Sequence, residues 1–206
     1  MNVAVFASGR GTNFAAIIRA VKKGRLKVNL ALLVCDNPSA GAIGRAKRAG
    51  IPVALIQKEK FSSKEAFEQE IIRRLETHQV ELIVLAGFMR LLSPAFVSRY
   101  QNKILNIHPA LLPAFKGTQG IKDAFEYGVK VTGVTVHFVD SQMDHGPVIL
   151  QAAVKIEEGQ TLKDLEAKIH KAEHRLYPEA IRLCAQGKAR LEGRRVIFPT
   201  TPSGSK

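Results

Sequence analysis

Three side chains in two short runs define the chemistry open to this chain. Asn106-Ile107-His108-Pro109 offers an amide and an imidazole, and Asp144-His145-Gly146 adds a carboxylate. Acyl transfer calls for that combination: a donor for the oxygen that gains negative charge, a group that moves a proton, and a charge that orients the proton carrier. Taken alone, Asn-x-His-Pro also fits a turn with a hydrogen-bonded histidine, so the argument depends on where the fold delivers these runs.

Both runs lie at strand ends. Lys103-Ile104-Leu105 leads apolar into the first, and residues 131–139 alternate as a half-buried strand before Ser141-Gln142-Met143 turns the chain into Asp144. The alternation of elements starts much earlier, with strands expected at 3–6, 28–35, 51–56, 80–86 and 104–107 and helices at 13–21, 42–49, 64–77 and 94–100. That order predicts an α/β fold with a doubly wound, Rossmann-like parallel sheet in the N-terminal half. Ligands of such sheets bind beyond the carboxyl ends of the strands, which is where the three side chains arrive.

After a helix at 121–127, the segments 131–139 and 147–156 are separated by only a short turn and predict an antiparallel pair that extends the sheet. Thr161-Leu162-Lys163-Asp164 is a capping box, and Leu162, Leu165, Ile169, Ala172 and Leu176 follow at helical spacing. The C-terminal half therefore adds a long helix, which Pro178 is expected to kink or restart. Residues 190–198 read as an edge strand and 200–206 as a flexible tail.

The 206 residues suffice for one large domain with a real core. Cys35 and Cys184 lie far apart and fit reduced core thiols of a cytoplasmic protein rather than a disulfide framework. No apolar run approaches the ~18 residues of a membrane span, and Met1-Asn2-Val3-Ala4-Val5-Phe6 lacks a basic leader, so the chain is expected to begin in its first strand. The net charge of +13 raises an RNA-binding reading, but the basic residues are scattered and not gathered on an aromatic-studded face. A general positive field suits small anionic substrates better.

Ser8-Gly9-Arg10-Gly11-Thr12-Asn13 lies between the first strand and helix, where backbone N–H groups and the helix dipole favour phosphate. As a dinucleotide fingerprint it fails at the third glycine, where Phe14 stands, although Asp36 imitates the ribose-binding acid of a nicotinamide-dependent oxidoreductase. It lacks the Gly-Lys-[Ser/Thr] ending of a nucleoside-triphosphate loop, so a monophosphate on a small sugar fits better. The alternative is an ordinary glycine turn capped by Thr12 or Asn13. His170-Lys171-Ala172-Glu173-His174 matches a zinc-peptidase pattern, yet the stretch beyond it offers only Glu179 and Glu192 as further acids, so no metal is expected. Glu173 then points a carboxylate at a sugar hydroxyl.

Together, residues 7–13, Leu85-Ala86-Gly87-Phe88-Met89-Arg90-Leu91-Leu92, the run from Asn106 to Pro113, Gly133 to Asp140 and Asp144-His145-Gly146 resemble the phosphoribosylglycinamide formyltransferase family of folate-dependent enzymes over nearly the whole chain. The resemblance implies transfer of a formyl group from 10-formyltetrahydrofolate to the amine of 5-phosphoribosylglycinamide in purine synthesis. It implies that Gly11, Thr12 and Asn13 hold the phosphate and Glu173 the ribose. Met89, Arg90, Leu91, Leu92 and Asn106 would line the folate pocket, backbone groups from Asp140 to Asp144 would surround the pterin, and Lys64 would meet the glutamate as a point charge. It further implies one formyltransferase domain over 1–199, with a phosphate-binding half to about residue 100 and a folate and catalytic half beyond. The expected partners are these two small molecules, without nucleic acid or membrane, for a monomer or weak homodimer.

On that reading Asn106 and a protonated His108 stabilise the oxyanion that forms when the amine attacks the formyl carbon. Asp144 favours the imidazolium of His108 and orients it, and His108 supplies the leaving folate nitrogen with a proton directly or through water. No covalent enzyme intermediate is needed. His137 also fits the resemblance, but on an alternating strand it serves equally as a hydrogen-bonded structural histidine. The rivals are a formyltetrahydrofolate hydrolase on the same scaffold, the nicotinamide-dependent oxidoreductase and, from another class, the basic RNA-binding protein.

Overall fold

A computed structural model describes residues 1–198. Seven strands form one sheet in the order β3-β2-β1-β4-β5-β6-β7, where β1 is Asn2–Phe6, β2 Asn29–Cys35, β3 Val53–Leu55, β4 Leu82–Leu85, β5 Ile104–His108, β6 Val131–Phe138 and β7 Val148–Lys155. The first five pair in parallel, and β6 and β7 add antiparallel pairs. The strands of the parallel part read as near-continuous apolar runs because helices cover both faces.

One face is packed by α1 (Thr12–Lys22), α2 (Gly41–Ala49), α5 (Gly120–Tyr127) and the 24-residue α6 (Leu162–Ala185), through Phe14, Ile17, Ala46, Leu165, Ile169 and Tyr177. The other is packed by α3 (Lys64–Thr77) and α4 (Pro94–Arg99), through Phe67, Ile71, Leu75 and Phe96. The order reverses at β1, whose neighbours β2 and β4 carry their crossovers to opposite sides. The loops after β1 and β4 therefore part and leave a crevice.

One expectation is narrowed and another changes. Of the two outcomes expected at Pro178 the restart does not occur, and α6 runs through it. Leu176, Tyr177, Ala180 and Ile181 on either side of it are buried, and the Tyr177 hydroxyl donates to the carbonyls of Leu85 and Leu105 at 2.7 and 3.1 Å, so packing outweighs the lost helix bond. Residues 190–198 do not form an edge strand of the main sheet. They fold into a separate hairpin, β8 (Arg190–Glu192) and β9 (Arg195–Ile197), because Gly193-Arg194 turns the chain back on itself. The tail expected at 200–206 lies outside the described residues. Among the described residues, no helix is long and apolar enough to cross a membrane.

Candidate active site

The loops after β1, β4 and β5 open into a cavity of about 600 Å³. Its first wall is the β1–α1 loop. Gly11 is the N-cap of α1 at φ 69°, and no side chain caps that helix, so the first N–H groups of α1 have no intrahelical partner and face the cavity. A Cβ at Gly11 would come within 2.9 Å of the Ala42 Cβ, so the close turn requires glycine. Asn13 donates from Nδ2 to Glu173 Oε2 at 3.2 Å, and its Oδ1 is buried without a partner. Glu173 is almost fully buried on α6 and also accepts from His170 Nδ1 at 2.9 Å. That bond raises the His170 pKa above its ordinary value. Gly11, Thr12, Asn13 and Glu173 thus meet, although 160 residues separate Asn13 from Glu173.

The second wall is the segment after β4. Ser8 Oγ accepts from the Met89 N–H at 2.9 Å, which ties this segment to the loop after β1. Met89 and Leu91 are about 70% exposed at the mouth, while Leu92 packs with Phe88 against the α3 face of the core. Arg90 turns back, donating Nε to Asp36 at 2.8 Å and Nη2 to Glu59 at 2.8 Å. Asp36 is therefore engaged and buried, which removes the ribose-binding acid that the oxidoreductase reading requires. Lys64 opens α3 and does not line the cavity.

The third wall brings together Asn106, His108 and Asp144. In the β5–β6 ladder Asn106 faces His137 and His108 faces Thr135, so alternation points Asn106 and His108 to one side. His137 Nδ1 donates to the Phe138 carbonyl at 2.8 Å, which leaves Nε2 to accept from Asn106 Nδ2 at 3.3 Å. Burial drives the His137 pKa down and keeps it in that neutral form. Asn106 Nδ2 also lies 3.4 Å from Asp144 Oδ1. The buried His108 donates Nε2 to the Phe115 carbonyl at 2.7 Å, and its Nδ1 faces Asp144 Oδ2 at 3.4 Å.

Asp144 is held at φ 49°, a conformation uncommon outside glycine, and Oδ2 takes the Gly117 N–H at 2.9 Å. The anchoring bonds at Phe115 and Gly117 are short, while the contacts among Asn106, His108 and Asp144 are long, as in sites whose geometry tightens on binding. Asp140 lines the same cavity, but both of its oxygens serve its own loop, accepting from the Gln142 N–H at 3.0 Å and from His145 Nδ1 at 2.7 Å. Burial pushes the Asp140 carboxyl up, yet these bonds carry it below its ordinary value.

Sequence reasoning missed the Phe115 carbonyl and the Gly117 N–H, which are backbone groups in an irregular segment with no side-chain signal. It also left His170 unassigned, although its place three residues before Glu173 on a helix signals their pairing. Among the described residues no three His, Cys, Asp or Glu side chains gather as a metal site, and His170 and His174 instead stack with ring centres 6.5 Å apart. Burial raises the pKa of both cysteines, that of Cys184 to about 12, which leaves neither poised as a nucleophile.

The model of one protein family, described as formyl transferase, matches residues 1–181. The phosphoribosylglycinamide formyltransferase of Bacillus subtilis (strain 168) is 50% identical over 179 residues, 87% of this chain and 92% of the relative. The enzyme of the same name from Escherichia coli (strain K12) is 40% identical over 191 residues, 93% of this chain and 90% of its own. Among solved structures, glycinamide ribonucleotide transformylase 1 from Symbiobacterium toebii superposes with a TM-score of 0.93 at 44% identity, covering 96% of this chain and 93% of that one.

Proposed function

The chain belongs to the formyl transferase family, and from that premise we propose how its cleft moves a formyl group. The protein transfers the formyl group of 10-formyltetrahydrofolate to the amine of 5-phosphoribosylglycinamide in purine biosynthesis. The observation that carries the residue assignment is the meeting of Asn106, His108 and Asp144 at the end of β5, in one cavity with the open N-terminus of α1.

Phosphate sits on the N–H groups from Gly11 to Asn13, and Glu173 takes a ribose hydroxyl with Asn13 and His170 holding its carboxylate in place. The folate enters over Met89, Leu91 and Leu92, with the backbone of Asp140 to Asp144 around the pterin. Arg90 and then Lys64 lie along the path of the glutamate, since Arg90 already reaches Glu59 in the turn before α3. The amine attacks the formyl carbon while Asn106 Nδ2 and His108 Nδ1 donate to the developing oxyanion; as the adduct collapses the bond from the formyl carbon to the folate nitrogen breaks, that nitrogen takes a proton from the imidazole that Asp144 holds, and the proton lost by the attacking amine returns through water to His108. Neutral His137 accepts from Asn106 and so aims the amide. Residues 1–199 act as one formyltransferase domain on these two small molecules in the cytoplasm, as a monomer or weak homodimer, and no nucleic acid or membrane takes part.

The test mixes purified protein with 10-formyltetrahydrofolate, with and without 5-phosphoribosylglycinamide. Deformylated folate and formylated amine appearing together, and only with the amine, is the expected result. Folate product without acceptor would identify a hydrolase on this scaffold, and no turnover in either tube would overturn the reading.

A further inference from the structure

The loop between β6 and β7 brings Asp140 and Asp144 into the cavity, yet its middle residues Ser141, Gln142 and Met143 are exposed. Asp144 stands in the left-handed region at φ 49°, which aspartate adopts in tight loops and which here turns its carboxylate inward to the Gly117 N–H. From inside the loop, Asp140 binds the Gln142 N–H and His145 Nδ1. The β8–β9 hairpin also reaches the loop. Arg194, in the turn of the β8–β9 hairpin, donates Nη2 to the backbone carbonyl of His145, and its Nη1 lies 3.5 Å from His145 Nδ1, the atom that binds Asp140. The hairpin is a firm base, because Leu191 and Val196 pack against the core and β9 lies along β7. It also lies beyond residue 181, where the family match ends.

We propose that Arg194 is a positioning residue for formyl transfer, clamping the Asp140–His145 loop from outside the cleft and thereby fixing the Asp144 carboxylate and the folate-facing wall. The inference rests on the formyl-transfer reading. The guanidinium donates to the His145 carbonyl and sets its positive charge beside the Asp140 carboxylate, and its planar fork is held in one orientation more firmly than a lysine ammonium would be. At the substrate-phosphate end, built on α1 and α6, the bonds of Asn13, His170 and Glu173 do not involve this hairpin among the described residues, so the two ends of the cleft respond differently when the clamp is removed.

The test compares wild type, Arg194→Ala and Arg194→Lys by amide hydrogen exchange and by steady-state kinetics on both substrates. In Arg194→Ala, exchange rises in peptides covering 139–146 and not in those covering 104–112, the folate KM rises about 3- to 10-fold, and the amine KM and Tm stay at wild-type values. Arg194→Lys regains part of the folate KM. Unchanged exchange at 139–146, or equal increases in both KM values together with a lowered Tm, would overturn the clamp. Wild-type protein without transferase activity would sink the functional reading instead, and the exchange data would still decide the clamp.

Discussion

The two ends of the cleft are made of different materials. The end proposed for phosphate is mostly backbone: an uncapped helix N-terminus, a glycine at φ 69° and a buried carboxylate with two bonds of its own. The end proposed for catalysis is mostly side chain. Asn106 and His108 come from a parallel strand, His137 from the antiparallel strand beside it, and Asp144 from a loop beyond that. Backbone recognition survives most side-chain changes and fails when a Cβ blocks the approach. Side-chain recognition fails atom by atom, because each donor has one task.

The sharpest way to break this comparison is Asn106→Ala. Loss of an oxyanion donor is expected to lower turnover by about 10²–10³ while the dissociation constant for 5-phosphoribosylglycinamide barely changes. Near-normal turnover in a stopped assay would show that the catalytic end does not work through that amide. Asp144→Asn keeps the shape but removes the charge 3.4 Å from His108 Nδ1, and its turnover is expected to drop about 10²-fold. Full activity there would remove Asp144 from the mechanism.

Gly11→Ala tests the other material. Its methyl meets Ala42 at 2.9 Å in a backbone region unfavourable to alanine, so the KM for the phosphorylated substrate should rise about 10-fold or more, with turnover at saturation much less affected. Equal losses in KM and turnover would mean that the two ends are not separable.

The smallest effect separates the ends by pH. An NMR titration of the imidazoles should place His170, raised by its bond to Glu173, above 6.5 and His137, lowered by burial, below it. The signs for stability are opposite. The His170 contribution is fully present below 6.5 and lost as pH rises through its raised value, whereas the His137 contribution is present above 6.5 and lost as pH falls toward its depressed value. Glu173→Gln should return His170 toward its ordinary value and leave His137 in place. A His170 that stays raised in that variant would detach it from the phosphate end.

Much of the fold was legible because local rules and the global arrangement agree. Strand and helix alternation gave the parallel half, the short turn between β6 and β7 gave the antiparallel extension, and the capping box at Thr161 forms with both of its bonds. The helix does not restart at Pro178 and residues 190–198 pair away from the main sheet, because a local signal does not decide a packing question. Proline disfavours a helix interior, but a buried face on both sides keeps α6 whole, and a short apolar run pairs with whichever partner the preceding turn supplies. The side-chain partners of Arg90 and Asp140 carry no signal in the sequence, because Asp36 and Glu59 are brought to Arg90 from other elements and Asp140 bonds within an irregular loop.

The sequence by itself determined which chemical groups exist and that they stand at strand ends, since residue type and periodicity are local properties of the chain. It determined the glycine that lets α1 begin bare and the order of elements that opens the crevice. Only the tertiary structure decided partners: that His108 gives Nε2 to Phe115 and turns Nδ1 to Asp144, that Glu173 closes on Asn13, and that a hairpin near the end of the chain grips the loop at His145. The physical reason is register. A one-residue slip of β5 against β6 would send Asn106 and His108 to the opposite face, and that register is set by the packing of both sheet faces together.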